Sequence, residues 1–267
     1  MVSTDEAWRR RWLLVVAGGI VMGAALGVRN VQGLFLLPVT LDRGWSRETF
    51  GFALALQNLL WGFAQPLTGM IADRYGSARV IFAGIVLYAL GLAIMAYAAT
   101  VGVYTFGVGV LVGIALSGTA FGTVYGALSR LFPAERRSWA LGMAGMIGGF
   151  GQFCMVPFAQ DMIGSIGWAA AIAVLAAVML AIAPLAELVS QVFGVRYIAT
   201  LFGFVFFGHQ LGSFFGVWLG SVVFDATHSY AMLWQGSIWL GLISGLLHLP
   251  IDDRRVARVA LQGVRAA

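Results

Sequence analysis

The stretch GMIADRYGSAR occupies residues 69–79, where it joins two long runs that carry no charge, 49–72 and 80–129. A membrane-spanning helix needs about 20 largely apolar residues, so the first run fits one helix and the second fits two. Gly76 permits a tight turn, and Asp73 can accept hydrogen bonds from arginine or from the free amides of a helix N-terminus. The stretch therefore predicts a short charged loop between two helices at a membrane surface.

The composition places the whole chain in a membrane. Of its 267 residues, 60% are hydrophobic and only 10% are charged, and the mean hydropathy is +0.90. A soluble domain carries about 25% charged residues, so a soluble enzyme, a nucleic-acid-binding protein and a disordered linker are excluded. The net charge of +5 comes from arginines that form no patch. The single cysteine, Cys154, lies inside an apolar run, which excludes a disulfide framework and a CxxC metal site.

The charge-free runs predict an all-α integral membrane protein of about eight transmembrane helices, because they lack the polar–apolar alternation of a membrane barrel. The predicted helices are 12–37, 49–72, 80–98, 103–127, 139–160, 168–191, 199–223 and 230–250. With the N-terminus inside, thirteen of the sixteen arginines lie at cytoplasmic ends, Arg43 and Arg47 lie outside, and Arg29 lies within a span. Both termini are therefore predicted to be cytoplasmic. The lysine-free, glycine- and alanine-rich composition is typical of a GC-rich genome and favours a bacterial inner membrane.

The loop between the second and third helices resembles the signature loop of the major facilitator superfamily, G-x-x-x-D-R-x-G-x-x-R. The matching positions are Gly69, Asp73, Arg74, Gly76 and Arg79. The resemblance implies a bundle of transmembrane helices that transports a small molecule, with this loop stabilising one gating state. Gly69 would allow a neighbouring helix to approach closely. The alternative is an ordinary cytoplasmic loop that contains two arginines.

Three further stretches resemble the monocarboxylate and oxalate/formate branch of that superfamily. They are GLFLLP at residues 33–38, GWSR at 44–47 and RRSWALGMAG at 136–145. This resemblance implies a small organic anion as substrate, moved by proton coupling or by exchange. The glycines between 145 and 157 do not have the spacing of the antiporter signature of drug exporters.

The superfamily has twelve helices in two six-helix halves, and this chain resembles only part of them. Residues 1–183 resemble the N-terminal half, and residues 184–267 resemble the end of helix ten, helices eleven and twelve, and the tail. We therefore predict an internal deletion, with one helix over 168–191 that is kinked at Pro184. A weak repeat at an offset of 61 residues supports it, aligning Ser129, Phe132, Gly142, Gly151 and Phe153 with Ser190, Phe193, Gly203, Gly212 and Phe214.

Arg29 is the first candidate for a substrate-binding residue. A charge inside a span costs several kcal/mol unless it is paired or faces a water-filled cavity. Arg29 could hold a substrate carboxylate through two parallel hydrogen bonds, and the resembling branch carries a basic residue in this helix. The alternative is an arginine that reaches the outer interface or pairs with a loop acid.

His209 is the candidate for proton coupling, because histidine changes protonation near neutral pH. The alternative is a neutral histidine that is hydrogen-bonded between helices. Asn58, Tyr125 and Gln152 are predicted to bind the substrate together with Arg29. They belong to a larger set of polar side chains inside spans, for which interhelical hydrogen bonding is the commoner role: Asn30, Gln32, Gln57, Asn58, Gln65, Tyr125 and Gln152.

The sequence leaves two functions open. The first is a secondary transporter of a small organic anion, and the second is a truncated, non-transporting membrane remnant that only packs or associates with another chain. The motifs HExxH, GxSxG and GxxxxGK[ST] do not occur in the sequence, so no enzymatic activity, cofactor or metal is expected. The expected partners are the anion and membrane lipid, including anionic lipid at the basic tail 252–265; self-association stays open.

Overall fold

The computed structural model describes residues 4–188, 198–227, 229 and 231–248, and this part of the chain is almost entirely helical, with no strand. Two helices are irregular, a 3₁₀ turn at Gln32–Phe35 and a π-helix at Phe106–Leu111. The α-helices are α1 (Thr4–Val31), α2 (Leu36–Arg43), α3 (Arg47–Tyr75), α4 (Ser77–Tyr97), α5 (Val101–Thr105), α6 (Val112–Thr119), α7 (Phe121–Leu131), α8 (Ala134–Ile166), α9 (Trp168–Ala181), α10 (Leu185–Leu188), α11 (Ile198–Thr227) and α12 (Ala231–His248).

Within the described residues, four helical segments are long and apolar enough to cross a membrane: Trp12–Arg43, Ser77–Tyr97, Val101–Ser129 and Glu135–Ile166. The helix α3 is long enough at 29 residues, but it carries three buried amide side chains, Gln57, Asn58 and Gln65. Helical segments overlap all eight predicted spans. The all-α membrane class is confirmed, whereas the number of membrane crossings stays a prediction.

The chain divides into two compact units, Met1–Trp218 and Leu219–Ala267. In the first unit α1 packs along α8, and glycines allow the two backbones to meet. A Cβ atom placed on Gly151 of α8 would lie 3.0 Å from the Cα atom of Gly23 in α1. The helix α6 packs on α3 and α4, and α4 packs on α9.

The N-terminal part of α11 packs closely on α3 in this first unit. A Cβ on Gly203 would lie 2.8 Å from the backbone nitrogen of Pro66, and a Cβ on Gly62 would lie 2.6 Å from the Cβ of Gln210. The second unit holds the end of α11 and α12, and α12 exposes large apolar side chains such as Trp234 and Trp239. Such a surface suits contact with lipid.

The two sharp turns fall where the sequence predicts them. Gly76 is the only residue between α3 and α4, and its φ of 95° is a backbone conformation that favours glycine. The gap between the predicted helices 80–98 and 103–127 contains the turn between α4 and α5, where the hydroxyl of Thr100 caps α5 by accepting a hydrogen bond of 3.3 Å from the Val103 amide.

The sequence predicts one helix over 168–191, and this predicted length is wrong. The helix α9 ends at Ala181, and residues 182–184 form tight turns in which the Ala183 amide bonds to the Leu180 carbonyl at 3.1 Å. Pro184 has no amide hydrogen and its ring would clash with a helical carbonyl one turn earlier, so it ends the helix instead of kinking it. Residues 189–191, the repeat positions Ser190 and Phe193, and the tail 252–265 lie outside the described residues.

The helix predicted over 103–127 is interrupted twice. A π-helix occupies Phe106–Leu111, and Ala120 has an extended backbone between α6 and α7. The side chain of Gln57 donates a hydrogen bond of 3.0 Å to the carbonyl of Val108 inside the π-helix. A π-helix inside an α-helix is rare and often marks a functional region, and hydropathy alone does not predict one.

Candidate functional site

Arg29 lies near the middle of the apolar segment Trp12–Arg43, in the last turn of α1. Its Nη2 atom donates a hydrogen bond to the Oδ1 atom of Asn58 in α3, and its Nη1 atom lies 3.5 Å from the Oδ1 atom of Asn30. The arginine is partly buried, and Asn58 is fully buried. The structure therefore brings together Arg29 and Asn58, which were both predicted as substrate-binding residues.

Gln152 joins the same cluster from α8. The Nδ2 atom of Asn30 donates a hydrogen bond of 2.7 Å to the Oε1 atom of Gln152, whose own Nε2 atom donates to the Gly148 carbonyl at 3.3 Å. The polar side chains of α1, α3 and α8 thus form one continuous hydrogen-bonded group around Arg29. We call Arg29, Asn30, Asn58 and Gln152 the arginine cluster.

Trp61 forms an aromatic wall beside the arginine cluster. The guanidinium carbon of Arg29 lies 5.3 Å from the centre of a Trp61 ring, within the range of a cation–π interaction. The indole nitrogen donates a hydrogen bond of 2.9 Å to Gln65, and Gln65 donates one of 3.0 Å to the Ser117 carbonyl. Because both bonds are buried, the Trp61 ring is held in one orientation.

Sequence reasoning missed Trp61. Its signal was its spacing, because Asn58, Trp61 and Gln65 follow one another at intervals of three and four residues and therefore share a face of α3. An aromatic residue on the polar face of a span is a candidate for a ligand contact, and a search for polar side chains alone does not detect it.

The positive charge of Arg29 has no negative partner among the described residues. Its hydrogen bonds go to neutral amide oxygens, and its Nε atom is buried without an acceptor. An isolated charge within a span is costly, whereas a carboxylate could bind the free Nε–H and a remaining Nη–H together. The arginine cluster therefore contains a cation whose Nε–H group has no acceptor among the described residues.

The remaining amides mostly join helices. Gln57 donates to Gln32 at 2.9 Å as well as to the Val108 carbonyl, and Gln65 holds Trp61 and α6. These three side chains thus follow the commoner role, interhelical hydrogen bonding. Tyr125 lies elsewhere, because its hydroxyl faces Gly145 of α8, two helical turns before Gln152.

His209 is exposed on α11 and does not contact the arginine cluster. Its ring stacks on Phe206 at 5.4 Å between centroids, and Phe206 packs on Trp61 at 4.7 Å. Its Nδ1 atom lies 3.2 Å from the Oε1 atom of Gln210. Two aromatic rings therefore separate His209 from Arg29.

The loop 69–79 has the geometry of a tight connection between α3 and α4. Gly69 is buried, Asp73 is partly buried, and Arg79 is exposed at the start of α4. The guanidinium carbon of Arg74 lies 5.1 Å from the ring centre of Tyr75. Both arginines are therefore exposed, Arg74 in the last turn of α3 and Arg79 in the first turn of α4.

Comparison with known proteins shows that the chain matches one family model and is similar to several transporters. The family model described as Major Facilitator Superfamily matches residues 17–189. Monocarboxylate transporter 11 of Mus musculus is 30% identical over 182 residues, which are 67% of this chain and 39% of that protein. Probable anion transporter 4, chloroplastic, of Arabidopsis thaliana is 31% identical over 43% of this chain and 22% of that protein. Multidrug resistance protein MdtH of Proteus mirabilis is 37% identical over 32% of this chain and 19% of that protein. The chain thus spans well under half the length of these relatives.

Proposed function

Because the chain belongs to the major facilitator superfamily, we propose that it is a secondary transporter of a small organic anion such as a monocarboxylate. The observation that carries this proposal is the Arg29 guanidinium, which lies within a span without a negative partner among the described residues. Relatives named as monocarboxylate and anion transporters support the class of substrate.

In the proposed site the carboxylate binds the Arg29 guanidinium, whose buried Nε–H group has no acceptor among the described residues. Asn58 holds the guanidinium from α3, and Trp61 packs against it as a flat apolar surface. Asn30 and Gln152 offer amide groups for a hydroxyl or carbonyl group of the anion. A small anion with a short apolar body fits this combination of one cation, several amides and one aromatic ring.

The driving force is proposed to be a proton gradient or exchange against another anion. His209 is the candidate proton carrier, since it is exposed and its ring nitrogen is near Gln210. The loop 69–79 is proposed to stabilise one gating state through Asp73, Arg74 and Arg79. Both termini are proposed to be cytoplasmic, in a bacterial inner membrane.

The division of the chain is also a proposal. We propose that residues 1–183 form an N-terminal half and that 184–267 are the remnant of a C-terminal half. Transport in this superfamily rocks one half against the other around a midplane site. The second candidate function is a non-transporting remnant that only packs or associates with another chain.

Uptake into proteoliposomes tests the proposal. Labelled two- to four-carbon monocarboxylates are offered with and without a pH gradient, to wild type, Arg29→Ala and Arg47→Ala, the last being an exposed arginine at the start of α3. The proposal expects uptake that Arg29→Ala abolishes and Arg47→Ala preserves. Uptake that survives Arg29→Ala would refute the site, and no uptake by folded, inserted protein would favour the remnant.

A further inference from the structure

A cavity lies away from the arginine cluster, between α3, α4 and α6. Its volume is about 390 Å³, and it contains none of the residues Arg29, Asn58 and Trp61. Ligand pockets have volumes of about 300–1,000 Å³, so the cavity is large enough for part of a small organic ligand. Its lining side chains Ile71 and Tyr75 expose 47% and 53% of their surface, so it opens at the outside of the helix bundle.

The body of this cavity is apolar. Ile71, Leu87 and Ile114 line it together with small residues of α4 and α6. Thr68 is a polar residue in the wall, and its hydroxyl already donates to the Ala64 carbonyl, with an oxygen–oxygen distance of 3.0 Å. Nothing in this part of the wall requires water or a polar ligand group, so a hydrocarbon chain is the matching occupant.

The mouth of the cavity is positively charged. Arg79 lines the cavity at the beginning of α4, where its side chain is exposed. Tyr75 lines it from the end of α3, and the guanidinium of Arg74 lies over that ring. The partly buried Asp73 belongs to the same loop, which leaves an excess of positive charge at the mouth.

We propose that this cavity binds an anionic phospholipid, with an acyl chain in the apolar body and the phosphate at Arg79. The cavity is charged at the helix termini and apolar along the spans. A phospholipid has the same arrangement, with a charged head group and apolar acyl chains. Basic pockets between transmembrane helices are known to bind anionic head groups. The proposed site does not depend on whether the protein transports.

The test is native mass spectrometry of the delipidated full chain titrated with dioleoyl phosphatidylglycerol or dioleoyl phosphatidylcholine. The site predicts that the anionic lipid binds about fivefold more tightly, a ratio expected for one arginine near a lipid surface. Arg79→Gln should remove this preference and leave phosphatidylcholine binding unchanged. Arg47→Gln, which neutralises an exposed arginine at the opposite end of α3, should behave as wild type.

Two substitutions test the apolar body. Ala83→Phe fills the cavity from α4 and should lower the binding of both lipids, whereas Leu90→Phe, at an exposed position of the same helix outside the lining, should not. Ile71→Trp repeats the test from α3 in case Ala83→Phe does not fold. Equal binding of the two lipids by wild type, or a folded cavity-filling variant that binds as wild type does, would overturn the proposal.

Discussion

The contact between α1 and α8 leads to a prediction whose size can be worked from the structure. A Cβ on Gly151 would lie 3.0 Å from the Cα and 3.3 Å from the carbonyl carbon of Gly23. Carbon atoms in contact prefer about 3.5–4.0 Å, so Gly151→Ala must push two backbones apart by about half an ångström. Overpacking of this kind costs about 1–3 kcal/mol.

Gly149→Ala is the matched control, because a Cβ on Gly149 of the same helix has no atom within 4 Å. Both substitutions gain about 1 kcal/mol of helix propensity, so this contribution cancels when the two variants are compared. Gly151→Ala should therefore have a free energy of unfolding about 1–3 kcal/mol below that of Gly149→Ala, measured by denaturation in mixed detergent micelles. Equal stability of the two variants would refute the close approach of α1 and α8.

Three further predictions follow from other parts of the chain. Trp61→Phe keeps an aromatic ring beside Arg29 but leaves the buried Gln65 oxygen without its donor, so this variant should lose about 1–3 kcal/mol of stability. In the same denaturation assay the double variant Trp61→Phe/Gln65→Leu should recover part of that loss, and no recovery would contradict the role of the hydrogen bond between the two side chains. Gly76→Ala forces a side chain onto a backbone with φ of 95° and should destabilise the protein by about 1–3 kcal/mol, although the space around the residue is open. Gly102→Ala is the control, because Gly102 also has open space around it but no positive φ; equal stability of the two variants would show that the turn at Gly76 relaxes. A reporter fused after Ala267 should report the cytoplasmic side, because eight spans return the chain to the side on which it started; an external reporter signal would mean an odd number of crossings or a reversed insertion.

Local chemistry explains which elements could be predicted from the sequence. The turn at Gly76 and the break between α4 and α5 depend on one or two residues and lie where the sequence predicts them, whereas the cap at Thr100 was not predicted. The end of α9 also depends on local chemistry, because Pro184 cannot continue a helix. A continuous span was wrongly predicted there because apolar composition was given more weight than the proline.

The site shows the limit of sequence reasoning. Polar residues within spans are visible in the sequence, and Arg29, Asn58 and Gln152 do meet. Which polar residues meet depends on how the helices are rotated. This is why Tyr125 was included with them, and why the distance of His209, the proton-coupling candidate, from Arg29 was not predicted. Trp61 and the π-helix at Phe106–Leu111 depend on packing between helices, which a single sequence does not contain.

The central claim is that the charge of Arg29 binds a carboxylate. It is tested most directly by saturation binding of a labelled monocarboxylate to purified protein in detergent, with wild type, Arg29→Gln and Arg47→Gln side by side. Loss of a charge-assisted hydrogen bond costs about 1.5–3 kcal/mol, so Arg29→Gln should weaken binding by roughly ten- to a hundredfold, while Arg47→Gln should bind as wild type does. Equal saturable binding by all three proteins would contradict the claim.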